Sequence, residues 1–327
     1  MKINMEHGSG GKATSDLISN IFAKHFNNEI LNRMEDAAVV PGNGRIAVTT
    51  DSFVVTPLFF RGGDIGHLAV CGTVNDLLMS GAVPKYLTCG FIIEEGADTE
   101  TLDRIAASMA VTAKKAGVTI VAGDTKVIEG NGGIYINTAG VGFVADGVKL
   151  DCSSCREGDV VLLSGNLGDH HAAILSDRLK IENQIESDCA PLCEMVAGLM
   201  ASGVKIRTMR DVTRGGLATV LNEIAKASGC IISLEEEAIP VSEDVKGFCG
   251  FLGLDPLYMG NEGKMIAVVD GADSAKALEV FQNSEFGQNV AIIGQVQKGE
   301  PSLIMRTAIG GVRSVGILYG EGLPRIC

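Results

Sequence analysis

DTETLDRIAASMAVTAKKAG, residues 98–117, carries the marks of an amphipathic helix packed on a sheet. Leu102, Ile105, Met109 and Ala113 recur at helical spacing and build one apolar stripe. Asp98 stands where an N-cap accepts backbone N–H groups, Lys114 and Lys115 suit the negative helix end, and Gly117 supplies the stop. β-rich runs flank this stretch: KYLTCGFII (85–93) before it and VTIVAG (118–123) directly after. RIAVTT (45–50) and GIYINTAGVGFV (133–144) add two more strands to the same unit.

A polar, glycine-rich break, DGVKLDCSSCREGD (146–159), interrupts the pattern, and a second α/β series begins with VVLLSG (160–165). Its helix-like stretches are GDHHAAILSDRL (168–179), CAPLCEMVAGLMAS (189–202) and GGLATVLNEIAKASG (215–229); KMIAVVD (264–270) and NVAIIGQV (289–296) read as strands. The expected fold class is therefore α+β with α/β-like alternation. It divides into an N-terminal domain over 1–150, a C-terminal α/β domain over 151–319 and a flexible tail over 320–327.

With 327 residues, 46% of them hydrophobic and 20% charged, the chain has ample material for packed cores. Its net charge of -13 and lack of a basic run disfavour nucleic acid as a partner, and an anionic small molecule would have to arrive with a metal. MKINMEHGSGG lacks the apolar core of a signal peptide, and no uncharged apolar run approaches the ~18 residues that a membrane span needs. The expected location is cytoplasmic. Nine cysteines are then mostly reduced thiols; Cys152 with Cys155 and Cys189 with Cys193 are spaced as zinc ligands are, but the long helix-like stretch between the pairs favours separate loop and core thiols over a metal site. Cys327, the last residue, carries a thiol on a Gly-Pro tail, GEGLPRIC.

Candidate chemistry rests on acidic residues in apolar or glycine-rich settings: Asp36, Asp51, Asp76, Asp124 and Asp211. A lone carboxylate there costs several kcal/mol to bury unless a cation or donor pairs with it, and several converging would make an all-oxygen Mg2+ site for a phosphate ligand. Each taken singly reads better as a cap or turn residue; the five together shift the balance toward a site. HGSGGK (7–12) is not a Walker A loop, because Glu6 occupies the first glycine position and Ala13 follows Lys12. It remains a glycine-rich arm, with Gly10 and Gly11 able to approach phosphates and Lys12 as cation, or a disordered terminus.

Together HGSGGK, EDAAVV (35–40), TTDS (49–52), VNDLLMSGA (74–82), AGDTK (122–126), GDHH (168–171), RDVTRGGLA (210–218), NEGK (261–264) and PRIC (324–327) resemble the HypE carbamoyl dehydratase family of hydrogenase maturation. That family belongs to the superfamily of aminoimidazole ribonucleotide synthetase and selenophosphate synthetase. Glu35, where a second Asp is expected, and His171, where glycine is commoner, depart from the pattern. The resemblance implies an N-terminal half that pairs with its copy into a β-barrel across a homodimer, with ATP between the two halves. It implies Mg2+-phosphate carboxylates at Asp36, Asp51, Asp76, Asp124 and Asp211, with Gly10, Gly11, Lys12, Asn75 and Thr125 also at the nucleotide. Cys327 would receive a carbamoyl group from the carbamoyltransferase HypF and carry it through ATP-dependent dehydration to a thiocyanate. The cyano group would then pass to iron held by HypC and HypD. Glu262 and Lys126 would handle protons at the carbamoyl nitrogen, and His170 ranks behind them, a structural histidine being the plainer reading.

Two other readings share these residues. A superfamily relative making an acyl or selenium phosphate is one, although no cysteine precedes Cys71 in the glycine-rich arm. A metal-carrying scaffold built on Cys152, Cys155, Cys189, Cys193 and Cys327 is the other.

Overall fold

The structure, a computed structural model, describes residues 2–4, 7, 16–30, 42 and 44–317. Gly10, Gly11, Lys12, Asp36, Cys327 and the tail expected over 320–327 lie outside the described residues.

The first half begins with β1 (Arg45–Phe53), a short hairpin of β2 (Phe59–Phe60) and β3 (Gly63–Asp64), and helix α1 (Ile65–Met79). Then come β4 (Ala82–Glu94), α2 (Thr99–Ala116), β5 (Thr119–Ile128) and β6 (Ile134–Val144). Four of these strands form a sheet in the order β1-β6-β4-β5, with β4 and β5 parallel because α2 crosses between them. Helix α2 is the one the sequence marks. The Asp98 carboxylate accepts from the Glu100 N–H at 3.0 Å, Gly117 closes the helix at φ 69°, and Leu102, Ile105 and Met109 are wholly buried.

Helix α1 has no apolar stripe, because it is buried on every side: 13 of its 15 residues are covered by the sheet, α2 and the second half. Asp64 starts it, accepting from the N–H groups of Gly66 (2.7 Å) and His67 (3.0 Å) while the Ser108 hydroxyl donates to its other oxygen at 2.6 Å. This locks α1 to α2. The helices cover one sheet face only; alternation leaves Ile46, Val48, Val83, Ile92 and Ile128 exposed on the other.

The second half runs β7 (Val160–Leu163), α3 (Asp169–Leu179), α4 (Cys193–Ala201), β8 (Ile206–Asp211), α5 (Gly216–Ser228), β9 (Ile231–Glu235) and α6 (Glu243–Leu252). It continues through β10 (Met265–Val269), α7 (Ser274–Gln282), β11 (Ala291–Gln297), β12 (Ser302–Arg306) and β13 (Val312–Ser314). Helices alternate with strands along the chain, yet in the sheet, ordered β13-β12-β9-β11-β7-β10-β8, only β9 and β12 pair in parallel. One apolar core joins the halves, with Ile65 and Leu68 of the first in the same cluster as Leu192, Met195 and Met265 of the second. Among the described residues no helix is long and apolar enough to cross a membrane.

The helix expected over 189–202 is shorter, Cys193–Ala201. Pro191 disfavours helical backbone at Ala190, and the Leu192 N–H donates to the Asn75 side-chain oxygen at 2.9 Å instead of entering a helix. The four-thiolate site therefore does not form. Cys152 lies against Thr208, Cys155 against Ser228, and the Cys193 thiol donates to the Ala116 carbonyl.

Removing the carboxylate that starts α1 should be costly. Asp64→Ala is expected to lower stability by about 1–2 kcal/mol, with Asp64→Asn recovering most of it, as read by denaturant unfolding.

Candidate active site

Asp51 comes from β1, Asp76 from the last turn of α1 and Asp211 from the end of β8. Packing of α1 between the sheet and the second half brings all three together. Burial raises the pKa of each, and their mutual repulsion adds to it: Asp76 acts on both Asp51 and Asp211, which itself is pushed up to about 6. The Thr49 hydroxyl donates to Asp76 at 2.7 Å, and the Ser52 N–H to Asp51 at 2.8 Å. A cleft of about 700 Å³ opens beside Asp76, with Arg45 and Lys149 on its walls.

Glu262 joins this group. Its carboxyl is raised well above the ordinary range by burial first, then by Asp211, Asp188 and Asp51, while Arg214 opposes the rise. The NEGK motif explains how it is held. Asn261 accepts from the Gly168 N–H (2.8 Å) and donates to the carbonyls of Val212 (3.0 Å) and Met259 (3.1 Å), so the start of α3 and the end of β8 are tied to one loop. The Asp188 carboxylate accepts from the N–H groups of Glu262 and Gly263, both at 3.2 Å, and pairs with Lys264 at 3.2 Å. A Cβ at Gly263 would collide with the Asp188 carbonyl, so only glycine fits.

Asn75, expected at the nucleotide, is 2% exposed and spends its amide on backbone: it donates to the carbonyls of Ala190 (3.0 Å) and Glu262 (3.3 Å) and accepts from Leu192. It positions the Glu262 loop from beneath. His170 is also internal. Its Nδ1 meets the Ser187 hydroxyl at 2.8 Å, Phe60 packs edge-on against it, and burial pushes its pKa down to about 4, which leaves a neutral, structural ring.

Asp124, Thr125 and Lys126 do not join the cluster. They lie on β5, at the sheet edge opposite β1, with Asp124 and Lys126 exposed on the uncovered face. Asp188 and Arg214 are functional candidates that sequence reasoning missed. Arg214 sits inside the quoted RDVTRGGLA motif, three residues after Asp211, and its cation next to a helix opening on Gly215 and Gly216 was the available signal. Asp188 offered none, since its role depends on a loop 74 residues away.

The chemistry of this donor set is that of a hard divalent cation: crowded carboxylate oxygens with too few cations of their own. It predicts a stability signature. Because Asp211 titrates near 6 when folded and near 3.8 when free, its protonated form favours the fold below about pH 4, and that contribution is lost as pH rises through 6. Asp211→Asn should therefore match the parent in thermal unfolding below pH 4 and exceed it by about 2–3 kcal/mol at pH 8 without added cation.

The chain is similar to proteins of known activity over its whole length. The profile of the AIR synthase related protein, N-terminal domain, matches residues 34–144, and that of the C-terminal domain of the same family matches residues 156–306. The carbamoyl dehydratase HypE of Rhodobacter capsulatus is 46% identical over 335 residues, covering 100% of this chain and 98% of that protein. A crystal structure of the hydrogenase maturation protein HypE in complex with ATP superposes with a TM-score of 0.95 at 45% identity, covering 99% of each chain. A HypE chain in a HypE–HypF complex gives a TM-score of 0.81 at 48% identity over 92% of this chain and 99% of that one. With a carboxylate cluster, a clamped NEGK loop and full-length similarity on one chain, the protein belongs to the HypE carbamoyl dehydratase family, on the two-domain AIR synthase related fold.

Proposed function

We propose that this chain dehydrates a carbamoyl group carried on its own Cys327 to a thiocyanate, supplying the cyano ligand for the iron of a [NiFe] hydrogenase. The observation that carries the reading is the convergence of Asp51, Asp76 and Asp211 on a glutamate whose loop is fixed from three sides. Overall, R–S–C(=O)–NH2 becomes R–S–C≡N: the carbon loses its oxygen and the nitrogen its two protons. When bound, ATP with Mg2+ supplies the phosphoryl group that turns this oxygen into a leaving group, so that ADP and phosphate are the other products.

The residues of the chain divide the remaining work. Asp51, Asp76 and Asp211, with Asp36, would hold Mg2+, and Gly10, Gly11 and Lys12 would lie along the phosphates. Arg214, exposed beside the cluster, supplies positive charge there. Glu262 accepts the proton from the carbamoyl nitrogen in its ionised form, which Arg214 favours against burial and the neighbouring carboxylates. Asp188 and Asn75 orient its backbone.

A second copy of the chain completes the arrangement. Ile46, Val48, Val83, Ile92 and Ile128 form an uncovered apolar sheet face, which suits pairing into a barrel across a homodimer. Asp124, Thr125 and Lys126 on β5 then belong to the interface, where Asp124 would add to the metal-phosphate site and Lys126 would steady negative charge. HypF is the carbamoyl donor and a HypC–HypD assembly the cyano acceptor; the full-length similarity to a chain seen with HypF supports the first.

Two measurements test the reading. Mass spectrometry of the C-terminal peptide after incubation with HypF and its substrates should show a carbamoyl adduct that loses one water only when ATP is added. Glu262→Gln should keep the adduct but slow the loss by at least ~100-fold; dehydration at the parental rate in this variant overturns the role of Glu262. For the assembly, Val48→Asp, which puts a charge on the open face, is expected to halve the mass seen by light scattering. An unchanged mass would remove that face from the interface.

A further inference from the structure

We propose that His67, Cys71 and Cys189 form a binding site for a thiophilic divalent cation of the zinc type, separate from the carboxylate cluster and joining the two halves of the chain. His67 and Cys71 sit four residues apart on one face of α1, and Cys189 meets them from the segment that precedes α4. One side-chain ligand atom from each lies within 4.8 Å of the others. This is the one such group of metal-ligating side chains among the described residues.

Cys71 Sγ lies 3.7 Å from His67 Nε2 and 4.0 Å from Nδ1, so an ion on Nε2 would draw the thiol round from its place between the two ring nitrogens. The ring is held as a metal-binding ring usually is: Nδ1 meets the Thr112 hydroxyl at 2.8 Å, and that hydroxyl passes its proton to the Ser108 carbonyl at 2.8 Å, leaving its oxygen to accept from Nδ1–H. Nε2 faces the Cys189 carbonyl at 2.9 Å. A carbonyl only accepts, so in the metal-free protein a proton lies between them, and an ion bound at Nε2 would take its place.

One nitrogen, two sulfurs and a carbonyl oxygen thus surround one spot. A divalent cation displacing the Nε2 proton and the two thiol protons would be neutralised by the two thiolates, with the Cys189 carbonyl available as fourth donor. Location gives the cation a structural task. Asn75 lies two turns beyond His67 on the same helix face and holds Ala190 and Leu192, and Asp188 precedes Cys189 and clamps the Glu262 loop. A cation here would fix the 188–192 segment to α1 from the side opposite the carboxylates.

The test uses the full-length, reduced protein, stripped of metal and then given Zn2+ alone or Co2+ alone. We expect the parent to hold one equivalent of Zn2+ against a competing chelator and to show a thiolate-to-cobalt charge-transfer band with Co2+. Cys71→Ala and Cys189→Ala should each lose that equivalent and the band, whereas Cys193→Ala and Cys327→Ala keep both. His67→Gln, at a partly exposed position, should weaken Zn2+ retention by at least tenfold while the far-ultraviolet circular dichroism stays parental. A band that survives in both Cys71→Ala and Cys189→Ala overturns the assignment. So does a parent that takes up neither ion while peroxide links Cys71 to Cys189 in the peptide map, which would make the pair a disulfide.

Discussion

Repulsion among carboxylates governs this molecule. Asp51, Asp76, Asp211 and Glu262 arrive from β1, α1, β8 and the loop before β10, and each raises the pKa of at least one neighbour or has its own raised by one. Two like charges ~6 Å apart at an effective dielectric near 20 repel by about 3 kcal/mol, a sizeable share of an ordinary domain's net stability. Folding therefore has to hold them together from outside. The apolar core that runs unbroken from Ile65 and Leu68 into Leu192, Met195 and Met265 does so, and helix α1 is its axle.

That task explains why α1 is buried on all sides yet contains polar residues. Each polar group on it is assigned: Thr73 meets Thr138 on β6, Asn75 holds the 190–192 segment, and Asp76 receives the Thr49 hydroxyl. Unpaired, any of them would cost a buried desolvation penalty of about 1–3 kcal/mol. Paired, they fix the rotation of the helix about its axis, which apolar contacts alone leave loose. Asp76 and the Glu262 loop are thereby set by the same element.

Local signals made the first half legible. Helix α2 followed from Asp98, Gly117 and a stripe at helical spacing, and the four strands of the first sheet from their β-branched runs. Helix α1 gave no such stripe, because amphipathicity records a solvent face that it does not possess. The stretch 189–202 misled in the opposite sense. Its apolar spacing is helical, but Pro191 and an amide 117 residues away keep the first four residues out of the helix, and the Cys189–Cys193 spacing lost its meaning with it. Acidic motifs pointed to Asp51, Asp76, Asp211 and Glu262 as individuals. Their assembly, and the clamp by Asp188, depend on contacts between residues on separate elements that no local pattern encodes.

What separates working residues from supporting ones here is the fate of their lone pairs. Asp188, Asn75 and Asn261 are as polar as Glu262, yet every one of them directs its side chain at backbone groups, and Asp188 takes Lys264 as well. Glu262 shows the reverse pattern: its N–H goes to Asp188 and its carbonyl accepts from Asn75, while no hydrogen bond reaches its carboxyl among the described residues. A half-buried carboxyl with no such partner stays open to whatever enters from outside. Fixing the main chain on both sides while leaving the carboxyl without a partner gives a base whose position is set in advance and whose bonding is reserved for a substrate. The same logic ranks the histidines, since His170 already has Ser187 and Phe60 and so has little left to offer a reaction.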